Sequence, residues 1–316
     1  MPPPIHYNDG KEHKGGVGIP PITVIIPVHN QAYPLALTLQ AFTKQLPPYN
    51  QCSIIVVDDG SEDLIHSVVE AYRDSLDIQY VRIAKSGRAA ARNAGARWAK
   101  EGLIVFCDAD RMPRPDFLQS HVEASKRYDS SIMIGQVREI YVTDPERNRK
   151  IIEERLANHA FSRIPQYCRL VYQLFDDAGA CQSGIPWVAT FSGNMSMPVD
   201  LFHSLGGFDE QFQEWGFEHF ELGYRACQGR VPFVYAQEAI NVHLAHHRQG
   251  TSYRNYMTRS HRYFYEKHSE PVVMHFLSFM LGEISLKQLE DIEQTGQLMP
   301  HKEDSGLKGY VRITQM

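Results

Sequence analysis

The sequence predicts an α/β fold, a mostly parallel sheet flanked by helices. Three observations predict it. Continuous apolar runs rich in β-branched residues recur at 22–28 (ITVIIPV), 53–57 (SIIVV), 78–84 (IQYVRIA) and 103–107 (LIVFC), and runs without alternation suit strands buried on both faces. Stretches of helical spacing lie between them. The resulting order β-α-β-α-β-α-β, complete by about residue 110, argues for a Rossmann-like sheet with right-handed crossovers.

Residues 1–20 are rich in proline and glycine and read as a flexible arm. After the first strand, Leu35, Leu39, Phe42 and Leu46 recur at i, i+4, i+7 and i+11, with Pro34 at the helix start. Val68, Val69 and Tyr72 form a second helix behind a cap at Asp59 or Ser61. A third carries a small-residue stripe, Ala91, Ala94, Gly95 and Trp98, which lets a helix sit close to a sheet. Residues 144–177 are charged, contain Pro145 and Pro165, and lack a strand pattern, so they read as helices or a mobile insert. Residues 199–206 and 218–228 read as short helices and 231–236 as a further strand. From Tyr253 onward the pattern is helical, then polar, which gives a helical C-terminal extension at 251–316 behind a main unit at 21–250.

Composition narrows the function classes. The chain has 316 residues, 43% hydrophobic and 22% charged, as a soluble globular protein has. Its net charge of −5 excludes nucleic-acid binding by bulk electrostatics. No run of about 18 apolar residues exists, so no transmembrane segment is expected. The N-terminus has no apolar core of a secretory signal. The five cysteines are odd in number and form no C-x-x-C, which argues against a disulfide framework or a cysteine-built zinc site and for a reducing, cytoplasmic location.

In a parallel α/β sheet, ligands bind beyond the carboxyl ends of the strands. Polar groups gather at three such ends: His29 and Asn30, then Asp58 to Ser61, then Asp108 and Asp110. Two carboxylates two residues apart repel unless a cation sits between them or one is protonated. Oxygen ligands at this short spacing suit Mg²⁺ or Mn²⁺, which keep waters and bind substrate phosphates. Asp59 serves equally as a helix cap, with Glu62 in a capping-box position. Residues 78–99 hold Arg82, Lys85, Arg88, Arg92 and Arg97 and no acid. Arg88 and Arg92 share a helix face behind Ser86 and Gly87, either as a diphosphate site or as a solvated basic face. His243 leads a cluster with His246 and His247 and is a candidate further metal ligand. Residues 215–221 (WGFEHFE) place Glu218, His219 and Glu221 beside aromatic rings, with Trp215 or Phe217 either stacking on a sugar or packing the core.

These motifs carry a resemblance. Residues 27–30, the Asp58–Ser61 turn, Ala91-Arg92-Asn93 and Asp108-Ala109-Asp110 resemble family 2 glycosyltransferases of the GT-A fold. Phe191-Ser192-Gly193-Asn194, the 206–212 segment (GGFDEQF) and Trp215-Gly216-x-Glu218-x-x-Glu221-x-Gly223-Tyr224-Arg225 resemble acceptor-side motifs of galactosyl- and N-acetylgalactosaminyltransferases and chondroitin-type polymerases. The resemblance covers about residues 22–250. It implies a nucleotide-sugar-binding half at about 21–112 and an acceptor half at about 113–250. It implies donor contacts at Asp59 and Asp108, and the strand-end residues Pro27 and His29 and the basic residues Arg88 and Arg92 stand beside them as further donor-contact candidates. Metal contacts fall at Asp108, Asp110 and His243, and acceptor contacts at Gly193, Asn194, Trp215, Gly216 and Glu218. The chain departs from the pattern twice. His29 stands where an aromatic is usual, and Glu218-His219 stands where the family has Glu-Asp, whose Asp is the usual base.

The expected function is therefore inverting transfer of a sugar from a nucleotide-sugar donor, UDP-linked, to an acceptor hydroxyl or thiol of a saccharide, peptide or small molecule. Mn²⁺ or Mg²⁺ is the expected cofactor, and Glu218 or His219 the base. Glu218 is favoured on the expectation that a partly apolar pocket raises its pKa. A sugar-phosphate nucleotidyltransferase or a non-catalytic carbohydrate-binding relative are the alternatives. The C-terminal helices offer a route to a homo-oligomer.

Overall fold

The computed structural model describes residues 19–157, 162–213, 216–245, 250–298 and 309–311, the side chains of 250–253 excepted. Residues 1–18 of the expected arm, Trp215, His246 and His247 lie outside the described residues.

The four expected strands form as β1 (Ile22–Val28), β2 (Ser53–Asp59), β3 (Asp77–Ile83) and β4 (Leu103–Cys107), all mutually parallel. Between them lie α1 (Ala32–Phe42), α2 (Ile65–Glu70) and α3 (Arg88–Ala96). Gly95 on α3 shows why the stripe is small. A β-carbon there would stand 2.6 Å from Ile25 Cγ2 of β1. Trp98 does not share that contact, being past the helix end and 51% exposed. Leu46 likewise falls outside α1 and is exposed. The cap of α2 is Leu64 with no side-chain bond, not Asp59 or Ser61.

After β4 the chain adds β5 (Arg111–Pro113), α4 (Phe117–Ser125), β6 (Ile132–Tyr141), α5 (Arg149–Ala157), α6 (Gln166–Val171), β7 (Asn194–Pro198) and α7 (Val199–Ser204). Then come α8 (Glu218–Gln228), β8 (Phe233–Ala245), α9 (Gly250–His268), α10 (Pro271–Met280) and α11 (Leu286–Thr295). The expected strand at 231–236 thus runs on to Ala245. The eight strands form one sheet in the order β3-β2-β1-β4-β7-β6-β8-β5. The sheet is parallel in its first half and mixed in its second, because β7 runs antiparallel to both β4 and β6.

β7 escapes a sequence reading because its polar residues are buried. Asn194 and Ser196 are fully buried and both bond the ring of His121 on α4, at 3.0 and 2.9 Å. The 144–177 segment forms helices, as one of its two readings expects. Ile152 of α5 is fully buried against Leu37 of α1 and Val242 of β8, and Tyr33 donates to the Pro145 carbonyl at 2.8 Å. The C-terminal helices are not an appendage. Phe264, Phe276, Phe279 and Leu289 are fully buried in the same hydrophobic cluster as Phe106 of β4 and Phe217 before α8.

Candidate active site

Strand order reverses between β1 and β4, since β1 leads to β2 on one side and β4 lies on the other. In such sheets the crevice beyond the strand ends at the reversal is where ligands bind. Pairing of β1 with β4 stops at Ile25 and Phe106, two residues before Pro27. Pro27, which lacks an N–H, is buried just where that ladder has ended.

Asp108 and Asp110 follow β4 into this crevice. Their backbone is pinned on both sides. Thr38 of α1 donates to the Ala109 carbonyl at 2.8 Å, and Leu244 N–H of β8 to the Asp110 carbonyl at 2.9 Å. The β5–β8 ladder sets Arg111 opposite His243. His243 Nε2 then lies 3.5 Å from Asp110 Oδ2, which also accepts from Gln31 Nε2 at 3.2 Å across the crevice.

Repulsion between the two carboxylates is resolved by arginines, a solution the sequence reading did not weigh. Asp108 Oδ1 accepts from Arg92 Nη2 at 2.8 Å and Oδ2 from Arg111 Nε at 3.3 Å. Burial pushes the Asp108 carboxyl up, and the Arg92 and Arg111 guanidiniums reverse this and hold it below its usual value. Asp110 is also raised by burial, and more strongly lowered by His243, Arg111 and Gln31.

Arg92 corrects an expectation. It does not stand with Arg88 on a basic face; it is 1% exposed. Its Nη1 donates to Glu218 Oε1 at 3.0 Å, so one guanidinium joins Asp108 to the start of α8. Arg88 remains exposed at the first turn of α3 and near enough to lower both Asp108 and Glu218. The expectation of a raised pKa for Glu218 is overturned. Burial does raise it, but His219, Arg92 and Arg88 together hold the carboxyl far below the usual carboxylate range.

The other expected site residues fall as follows. His29 sits at the crevice rim with its Nδ1 buried and unbonded. Asp59 is 3% exposed and accepts from Ser86 N–H at 2.6 Å, Gly87 N–H at 3.0 Å and Lys85 Nζ at 2.9 Å, so it fixes the turn that leads into α3 rather than capping α2. Gly193 lies against the Asp108–Arg111 pair. Asn194 is fully buried, its amide donating to the Gln136 and Ala239 carbonyls at 3.0 and 2.9 Å, so its side chain braces the sheet instead of facing the crevice. Gly216 and Phe217 both have positive φ, 86° and 73°. Phe217 packs the core among Phe220, His261, Phe264 and Phe276 and is not a sugar platform.

Gln31 and Arg111 were not singled out from the sequence. Arg111 had a signal, its place directly after the D-x-D; Gln31 had none. Six of the nine buried, unbonded side-chain atoms among the described residues belong to this region: His29 Nδ1, Arg92 Nε, Arg111 Nη1, Glu218 Oε2, His219 Nδ1 and Asn241 Oδ1. Buried polar groups are ordinarily paired, and concentrated exceptions mark places that work rather than merely pack.

The residues 23–184 match the family model "Glycosyl transferase family 2", and 178–247 match "N-terminal domain of galactosyltransferase". The chain belongs to glycosyltransferase family 2. It is 31% identical over 242 residues to validoxylamine A glucosyltransferase of Streptomyces hygroscopicus subsp. jinggangensis, covering 73% of this chain and 57% of that one. It is 28% identical over 249 residues to chondroitin synthase of Pasteurella multocida, covering 71% of this chain and 26% of that one. The chain thus spans less than two thirds of these relatives' length. Among solved structures, GalNAc-T7 with UDP, GalNAc and Mn²⁺ shares the fold at a TM-score of 0.57 and 19% identity, over 79% of this chain and 50% of that one.

Family 2 chemistry invites a test of the metal against these residues. Among the described residues no group of three or more His, Cys, Asp or Glu side chains converges as a cage. Asp110 and His243 do offer an oxygen and a nitrogen donor as neighbours. That pair fits a hard cation which completes its shell with water and substrate phosphate. Asp108, expected as a ligand, has both oxygens on guanidiniums. No described helix is long and apolar enough to cross a membrane.

Proposed function

We propose that this glycosyltransferase is inverting and metal-dependent, and moves a sugar from a UDP-sugar to an acceptor hydroxyl or thiol. One observation carries the reading. The Arg92 guanidinium holds Asp108 of the β4 crevice and Glu218 of α8 at 2.8 and 3.0 Å, so a donor seated at the strand ends has the Glu218-His219 pair beside it. The UDP and Mn²⁺ in the GalNAc-T7 complex support the choice of nucleotide and metal.

Pro27, His29 and Asp59, at the ends of β1 and β2, line the nucleoside side. Asp110 and His243 would hold Mn²⁺ or Mg²⁺, which supplies positive charge against the departing diphosphate. The exposed Arg88 guanidinium adds to that charge. The acceptor gives its proton to the Glu218-His219 pair while its oxygen or sulfur attacks the anomeric carbon. The bond to the diphosphate breaks in the same displacement, which inverts the carbon and needs no covalent enzyme intermediate. Five free cysteines support a reducing, cytoplasmic setting.

The test is turnover of UDP-, GDP- and dTDP-sugars with and without Mn²⁺, reading nucleotide release and the product's anomeric configuration. UDP release that needs metal, with an inverted product, supports the reading. Full turnover in excess EDTA, or a retained configuration, sinks it.

A further inference from the structure

Two groups compete to be the base, and their surroundings differ. Glu218 is 2% exposed. Its Oε1 is held by Arg92, which is itself fixed by Asp108 and lies 5.5 Å over the Phe208 ring. Its Oε2 is buried without a partner. A carboxylate clamped to a guanidinium inside the protein is a poor proton acceptor, because taking the proton would strip the buried cation of its partner.

The imidazole next to it has what Glu218 lacks. His219 has 14% of its side chain exposed, against 3% for Glu218. Its Nδ1 is buried, has no hydrogen-bond partner, and lies 3.6 Å from Glu218 Oε1. Its ring rests on Phe220 with centroids 4.2 Å apart, and its carbonyl accepts from Thr190 Oγ1 at 3.0 Å. A fixed carboxylate facing one imidazole nitrogen sets the ring's orientation and stabilises the imidazolium that forms when the other nitrogen takes a proton. The gap of 3.6 Å is longer than a hydrogen bond, as catalytic pairs often are before substrate binds.

The backbone aims this pair. Phe217 enters α8 at φ 73° and is locked in the aromatic core. One turn on, the fully buried Glu221 accepts from Arg225 at 2.8 Å, Lys267 at 2.9 Å and His268 at 3.0 Å, which ties α8 to α9. The charged groups facing the pair are Arg92 and Arg88 from α3 and, through Arg92, Asp108 from β4.

We propose that His219 is the general base of the transfer, and that Glu218 and Arg92 are positioning residues that hold its imidazole. The inference rests on the transfer reading above. The acceptor proton passes to the imidazole, the acceptor's electron pair forms the bond to the anomeric carbon, and the bond to the diphosphate oxygen breaks with its pair leaving on UDP. The imidazolium then releases its proton to water.

The experiment compares wild type, His219→Asn, His219→Ala and Glu218→Gln, measuring kcat against pH and UDP–Mn²⁺ affinity by calorimetry. His219→Asn is expected to lose on the order of 10²–10⁴-fold in kcat, to lose the acid limb of the pH profile, and to bind UDP–Mn²⁺ like wild type. Added imidazole should restore turnover in His219→Ala. Glu218→Gln should lose less, about 10–100-fold as for outer partners of an imidazole. It should keep the limb. An unimpaired His219→Asn, or a limb abolished only in Glu218→Gln, overturns the assignment. Should wild type bind UDP–Mn²⁺ and never turn over, the transfer reading falls and takes this inference with it. Wild-type turnover with a fully active His219→Asn removes this inference alone.

Discussion

Gly193 stands so close to Asp108 that a β-carbon on it would lie 2.3 Å from the carboxylate Oδ2, and also 2.3 Å from Arg111 Nε. Glycine is therefore what allows the Asp108–Arg111 pair to occupy the crevice. Its carbonyl is fixed from behind by Asn241 Nδ2 at 2.7 Å, so the backbone cannot retreat without breaking a buried bond.

Gly193→Ala should accordingly move Asp108 and Arg111 rather than the strand. The expected cost is about 1–3 kcal/mol of stability from overpacking and on the order of 10²-fold in kcat/KM from misplacement. Denaturant unfolding and donor turnover measure the two. Wild-type turnover in this variant would show that the position of Asp108 does not matter.

Asp110 is held by His243 and Gln31 in the crevice. Asp110→Ala should abolish transfer and the enhancement of UDP binding by Mn²⁺ at temperatures where the variant is still folded. Calorimetry with UDP alone and with UDP plus Mn²⁺ reads this directly. Equal enhancement in both proteins would place the cation elsewhere.

His121 predicts a pH dependence of stability. Burial lowers its pKa from 6.5 to about 4, because a charged ring would lie in the core; the bond to Asn194 opposes this shift without cancelling it. The unfolded chain takes up a proton below about 6.5 and the folded one only near 4. Its contribution is thus complete above pH 6.5, and is lost as pH falls from 6.5 to 4. The shift corresponds to about 3 kcal/mol at about 1.36 kcal/mol per unit. His121→Gln should be less stable at pH 7.5 and show a flatter slope across that window. Parallel slopes in the two proteins would count against a neutral buried ring.

Glu221 supplies a second, lower window. Burial raises its carboxyl, but His268, Arg225 and Lys267 bring it down from 4.5 to about 2. Stability from this group is present above pH 4.5 and lost as pH falls toward 2. Glu221→Gln leaves the Arg225 and Lys267 cations facing a neutral amide, and breaking such a buried pair costs about 3–5 kcal/mol. Because the same cluster ties α9 to the helix bearing Glu218, turnover should fall even at temperatures where the variant is folded. A stable, fully active Glu221→Gln would separate the C-terminal helices from the site.

Much of this protein can be read from its sequence alone. The four parallel strands, the helices at their expected places, the bounds of α8 and the delivery of Asp108, Asp110 and His29 to one rim all follow from local pattern. Buried parallel strands are continuous apolar runs, and their carboxyl ends are where polar residues resume. The placement of His243 is also legible, since it continues an apolar strand.

What only the tertiary structure decided is which polar side chains are spent inside. Arg92 reads as a diphosphate contact or a solvated cation from its neighbours in sequence, and becomes a buried clamp because Glu218, 126 residues away, arrives opposite it. Asn194 and Ser196 make β7 look unlike a strand, until His121, 73 and 75 residues distant, satisfies both. Glu218 looks like a carboxyl raised by an apolar pocket, and is lowered by His219 and by guanidiniums from α3. Sequence periodicity records which residues avoid water. It does not record which charges meet after folding, and at short range in a poorly hydrated site that meeting sets both geometry and protonation.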